Sequence, residues 1–129
     1  CKGIDAVFVS GGNTYYLLDQ VQKSGFAEVV TTLVEKGLIY IGSSAGSALA
    51  CPTIEYIEDL DDKTVVNLSS FEGLHLTKNL ILPHYGEAKY ESKFQNITAK
   101  WSKKGYKVTT LTNNQVYIID GKKHFTVGV

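Results

Sequence analysis

The chain has 129 residues, 43% of them apolar and 20% charged, which is the profile of a folded domain and excludes a disordered or collagen-like chain. Lysines and acids balance at 13 each, so net charge gives no reason to expect nucleic acid or an anionic membrane as a partner. Every basic residue is lysine, and the absence of arginine excludes a bidentate guanidinium grip on a carboxylate or phosphate.

In chain order, "IDAVFVSGG" (4–12) is a nearly continuous apolar run closed by a glycine pair, the pattern of a strand buried on both faces of a parallel sheet. "NTYYLLDQVQKSG" predicts a helix capped by Asn13 or Thr14, with Leu17, Leu18 and Val21 on one face and Gly25 at its end. Residues 26–36 predict a second helix, with Phe26, Val29, Val30, Leu33 and Val34 aligned and Gly37 as its stop. "LIYIG" (38–42) is a second buried strand, and strand, helical crossover, strand is the parallel βαβ unit. "EYIEDLDD" (55–62) holds five acids and reads as a solvated loop; a divalent-metal site there lacks a second ligand cluster. "NLILP" (79–83) is a third strand ended by Pro83. Residues 87–103 predict a helix with Tyr90, Phe94, Ile97 and Trp101 on one face. "YKVTTLT" (106–112), "QVYIID" (115–120) and "HFTVGV" (124–129) read as strands, the last two joined by a hairpin turn at "DGKK".

These elements predict one α/β domain over residues 1–129. Two cysteines, Cys1 and Cys51, are too few for a disulfide framework, and neither a secretory signal nor a long apolar span occurs, so a cytoplasmic protein is expected. No metal or cofactor is expected, and neither nucleic acid nor membrane as a partner. The chain opens on Cys and enters a strand almost at once, which predicts missing N-terminal elements and an open sheet face that favours a homo-oligomer.

Gly42-Ser43-Ser44-Ala45-Gly46 fits G-x-S-x-G between a buried strand and the helix start "GSALA". Such a turn strains the backbone at the serine and projects its Oγ above the sheet, so Ser44 is a candidate nucleophile; a small-residue turn is the plainer reading. A serine nucleophile needs a base. His84, just past the strand at 79–82, emerges where parallel sheets place their sites, while His75 and His124 are the alternatives. The amide of Ala45 and that of Gly12, in the turn after the first strand, are candidate oxyanion donors.

"GGNTYYLL" (11–18), "IGSSAGSALA" (41–50), "GLHLTKNLILPHY" (73–85) and "LTNNQVYIIDG" (111–121) occur in this order, and together they resemble the peptidase E (aspartyl dipeptidase) and cyanophycinase family of serine peptidases. The resemblance implies an α/β parallel-sheet sandwich with helices on both faces, like the class I glutamine amidotransferases, with N-terminal elements that this chain lacks. It implies that Ser44 is the nucleophile and His84 the base, that Gly12 and Ala45 form the oxyanion hole, that Asn13 lies beside the substrate cleft, and that the substrate is a small peptide. It also places Asn113 where the family carries the catalytic acid. An amide orients the imidazole but brings no charge. Glu87 or Glu91 is a possible substitute acid, although a helix starting at 87 is expected to turn both away. The family's basic residue for an acidic substrate side chain falls to Lys89 or Lys93, or is absent, so specificity for N-terminal aspartate is not carried over. Two other readings stand beside a serine peptidase: a non-catalytic relative with a ligand cleft, and an unrelated α/β-hydrolase with Asp59 or Asp61 as its acid.

Overall fold

Strands β1 (Ala6–Val9) and β2 (Ile39–Gly42) run parallel, with Ala6 opposite Ile39 and Val9 opposite Gly42. The structure is a computed structural model that describes residues 3–128, so Cys1 and the terminal Val129 of the last expected strand lie outside the described residues. The crossover between the two strands is helical. Helix α1 (Thr14–Ser24) starts at Asn13, whose side chain accepts from the Tyr16 amide, and ends at Gly25 with φ 72°. Helix α2 (Phe26–Glu35) follows directly, and β2 leads into the short helix α3 (Ala45–Leu49). A second parallel pair joins β3 (Leu80–Leu82) to β4 (Val108–Thr110) through helix α4 (Glu91–Lys103). The antiparallel hairpin β5 (Gln115–Asp120) and β6 (Lys123–Gly128) closes the chain through Gly121-Lys122, with φ 57° at Gly121.

The fold is therefore α/β, with parallel pairs. Among the described residues its strands form three two-stranded ladders. The strands of the two parallel pairs are three or four residues long. Among the described residues, no helix is long and apolar enough to cross a membrane.

The core lies beneath α3 and β3. Leu80 and Leu82, Leu49, Ile54, Tyr56, Phe94, Ile97 and Trp101 are all buried there, with Tyr15 and Leu18 from α1. Burying side chains of this size stabilises by about 1.5–3 kcal/mol each before the entropy of ordering is charged against it. Two expectations need correcting. Neither β1 nor β2 is buried on both faces: Phe8 is 63% exposed and Ile39 59%, with Ile41 beside them, because no described element packs over that side. The acidic stretch is not a solvated loop. Residues Glu55–Ile57 form a 3-10 turn that buries Tyr56 and Ile57, and Lys93 and Lys100 of α4 hold it, by the Asp59 carbonyl at 2.7 Å and the Glu58 carboxylate at 2.8 Å. Tyr56 and Ile57, with the partly buried Leu60, anchor the acid run, and the charges stay at its rim.

Candidate active site

Ser44 sits between β2 and α3 with φ 53° and ψ −113°, a conformation that L-residues rarely adopt. Steric contact explains the small residues around it. A Cβ on Gly46 would lie 2.0 Å from the Val9 carbonyl oxygen, and one on Gly42 would lie 2.5 Å from the Gly46 carbonyl oxygen. Neither position admits a side chain, so the turn can pass tightly against β1. Tyr40 and Ser47 brace it by donating to the Gly46 carbonyl at 2.7 Å and the Gly42 carbonyl at 2.8 Å.

Strand β3 ends at Pro83, and His84 follows with φ 63°. The Tyr85 amide donates to the Leu111 carbonyl at 2.9 Å, which ties the His84 loop to the loop before β5. In this arrangement Ser44 Oγ lies 2.9 Å from His84 Nε2, and His84 Nδ1 lies 2.7 Å from Asn113 Oδ1. The structure thus brings Ser44, His84 and Asn113 into one chain of hydrogen bonds. His75 is elsewhere, against Glu72 at 2.6 Å, and His124 lies 3.1 Å from the Tyr117 hydroxyl on the hairpin.

Glu87 continues the chain. Asn113 Nδ2 donates to Glu87 Oε1 at 2.9 Å, and that same oxygen is 3.7 Å from His84 Nδ1. The expected orientation of Glu87 was wrong for a local reason. The α-helix begins only at Glu91, after a 3-10 turn at Ala88–Tyr90, so Glu87 is an extended N-cap residue whose side chain turns back toward His84. Hydrogen bonds from Asn113 and then Lys89 hold its carboxyl below the usual glutamate range.

Gly12, with φ 134°, needs the freedom of glycine to make the turn after β1. In the same turn Gly11 packs against Ser44, where an added Cβ would meet the Ser44 Cβ at 3.1 Å. Ala45 is buried at the first position of α3. The Asn13 side chain is engaged at both ends: Nδ2 donates to the Asp62 carbonyl at 2.9 Å and Oδ1 accepts from the Tyr16 amide at 3.0 Å. Its neighbour Thr14 reaches the site instead.

A cavity of about 140 Å³ opens beside Ser44 and His84. Ala48, Ile57, Leu60 and Phe94 give it an apolar wall, and Thr14, Tyr90 and Asp61 supply its polar atoms. Asp61 Oδ2 accepts from the Thr14 amide at 2.8 Å and from its hydroxyl at 2.7 Å. That engagement, with Asn113 already on Nδ1, leaves neither Asp61 nor Asp59 as the acid on His84, contrary to the α/β-hydrolase reading. Among the described residues no lysine lines the cavity: Lys89 pairs with Glu87 at 3.3 Å and Lys93 holds the Asp59 carbonyl. Sequence reasoning missed Tyr90 as a cavity residue and offered Asp61 only as an alternative acid on His84, because only the docking of the 55–62 segment and of the turn before α4 brings them into the cavity wall.

Cys51 is no competing nucleophile. It is fully buried, burial pushes its thiol up to about 11, and its sulfur accepts from the Ile81 amide at 3.2 Å. Among the described residues, no group of three or more His, Cys, Asp or Glu is placed to hold a metal.

A family model described as "Peptidase family S51" matches residues 2–127. The chain belongs to peptidase family S51. Among similar proteins, uncharacterized peptidase Lmo0363 of Listeria monocytogenes is 32% identical over 123 residues, which cover 95% of this chain and 60% of the relative. Peptidase E of Escherichia coli O1:K1 / APEC is 40% identical over 87 residues, 67% of this chain and 37% of the relative. The 1.5 Å crystal structure of a candidate peptidase E protein from Listeria monocytogenes EGD-e superimposes with a TM-score of 0.87 at 31% identity, covering 97% of this chain and 60% of that one. This S51 chain spans about 60% of the length of the Lmo0363 relative it matches.

Proposed function

We propose that this S51 chain carries a serine-type peptidase site that hydrolyses small peptides by acyl transfer. The observation that supports it most directly is Ser44 Oγ at 2.9 Å from His84 Nε2, on a strained turn at the mouth of a cavity. In the proposed cycle Ser44 Oγ attacks the scissile carbonyl carbon as its proton passes to His84 Nε2. The oxyanion is held by the Gly12 and Ala45 amides. His84 then gives that proton to the leaving amine as the C–N bond breaks, leaving an acyl-serine. Water adds to the acyl carbon, losing a proton to His84, and the acid product departs as Ser44 recovers its proton. Asn113 orients the ring through Nδ1. Asn13 acts from behind, fixing the turn that carries Gly12 and Thr14. A class I glutamine amidotransferase-like sandwich belongs to the same proposal and is supported by the parallel pairs on either side of α3.

The cavity favours an uncharged first side chain over an acidic one, because Asp61 is in its wall and, among the described residues, no lysine is. The test pairs a fluorophosphonate probe with a dipeptide panel. Expected are labelling of Ser44, loss of labelling in Ser44→Ala and His84→Ala, and higher kcat/KM on Leu-X than on Asp-X dipeptides. The neutral amide at position 113 supports a second reading, a ligand-binding relative without turnover. Under that reading peptides bind by calorimetry but are not cleaved, and Ser44 stays unlabelled.

A further inference from the structure

We propose that Glu87 is a positioning residue that fixes the Asn113 amide and, through it, the tautomer of His84. An asparagine side chain offers an oxygen that accepts and an NH₂ that donates, and the two ends are nearly the same shape. Left alone, Asn113 has no reason to present one end rather than the other to the ring. Presenting NH₂ to Nδ1 would require Nδ1 to accept. The ring proton would then sit on Nε2, facing Ser44 Oγ, and the ring could not take the serine proton.

Glu87 removes that ambiguity. An ionised carboxylate only accepts, and Oε1 is 2.9 Å from Asn113 Nδ2, so the NH₂ end is drawn to Glu87 and the oxygen is left facing His84 Nδ1 at 2.7 Å. Nδ1 then carries the ring proton, and Nε2 is free to accept from Ser44 Oγ at 2.9 Å. Four side chains form one directed sequence of donors and acceptors. Glu87 Oε1 also lies 3.7 Å from Nδ1, so its charge acts directly on a ring that becomes cationic during attack. The other charged groups near the ring are Lys89, which is 3.3 Å from Glu87 Oε2 and partly offsets that charge, and Asp61, which is in the cavity wall but bonded to Thr14. An acid has thus not vanished from the site: it stands one residue further out, with an amide between it and the ring.

The kinetic arm of the test rests on the peptidase reading; the spectroscopic arm does not. Imidazole ¹⁵N shifts of His84 report the tautomer of the neutral ring whatever the chain's activity. The expected result is the Nδ1–H form in the parent, a mixture of both tautomers in Glu87→Gln, and return of the Nδ1–H form in Glu87→Gln/Asn113→Asp, where a carboxylate meets the ring directly. Labelling of Ser44 by the phosphonate should slow at least about tenfold in Glu87→Gln and recover in the double variant. Asn113→Asp alone should gain nothing or lose, because it sets two carboxylates face to face, so the two substitutions are strongly non-additive. An unchanged tautomer in Glu87→Gln, or additive effects of the two substitutions, overturns the proposal. The expected tautomer shifts in a parent that never labels would instead reject the peptidase reading and leave the Glu87 network standing.

Discussion

At Ser44 the backbone holds a conformation that costs an ordinary residue about 1–3 kcal/mol. Glycine adopts it without a Cβ clash, at an entropic cost of about 0.5–1 kcal/mol. Ser44→Gly should therefore raise the melting temperature by roughly 3–5 °C while abolishing any nucleophile. Ser44→Ala keeps the Cβ and should leave it nearly unchanged; scanning calorimetry of the two variants separates strain from loss of the hydroxyl. Ser44 was legible in the sequence because its requirement is steric and local: small residues two before and two after. His84 was legible from its place after an apolar strand. Glu87 was not, since its role depends on where a helix begins, and a shift of four residues in that start reverses the direction of its side chain. The docking that puts Asp61 in the cavity wall was hidden for a different reason, because nothing local separates a docked acidic segment from a solvated one.

The elements around the site show the same division. Helix α4 was read with the face that it buries, Phe94, Ile97 and Trp101, because period 3.6 is a strong signal over three turns. The 55–62 segment was misread because its five acids outweighed Tyr56 and Ile57 in any average. Its link to α4 has a pH signature. The Lys100 hydrogen bond holds the Glu58 carboxyl below the usual glutamate range. A folded-state value below the unfolded one stabilises at neutral pH, and this contribution fades as pH falls through the folded value. The Glu58 side chain is 36% exposed, so solvent screens the pair and the contribution is about 0.5 kcal/mol or less. Glu58→Gln should thus melt slightly lower at pH 7, and the two melting curves should converge as acid protonates the carboxylate in the folded state. A gap that persists at low pH would assign Glu58 a packing role instead.

On the scale of the whole molecule, the β1–β2 ladder leaves one face open, with Phe8, Ile39 and Ile41 in contact with solvent. The continuous apolar runs at 4–9 and 38–42 announced strands with two apolar faces, but a sequence run does not say which neighbour covers which face. The 129-residue chain should bind a hydrophobic dye such as ANS on this face. Phe8→Lys/Ile41→Lys should cut that fluorescence by more than half and leave the melting temperature within about 1–2 °C, since exposed positions contribute little to folding. Unchanged fluorescence would locate the dye elsewhere, the exposed apolar residues of the β5–β6 hairpin being next in line. The glycines flanking Ser44 bear on how such a molecule drifts over generations. Gly46 is held by the Val9 carbonyl and Gly42 by Gly46, so both answer to folding alone. Purifying selection on the fold would keep them in a lineage that no longer uses Ser44, while the serine itself, costly to stability, would be among the first residues to be replaced. An intact glycine pair therefore reports ancestry, and only the occupant of position 44 reports present use.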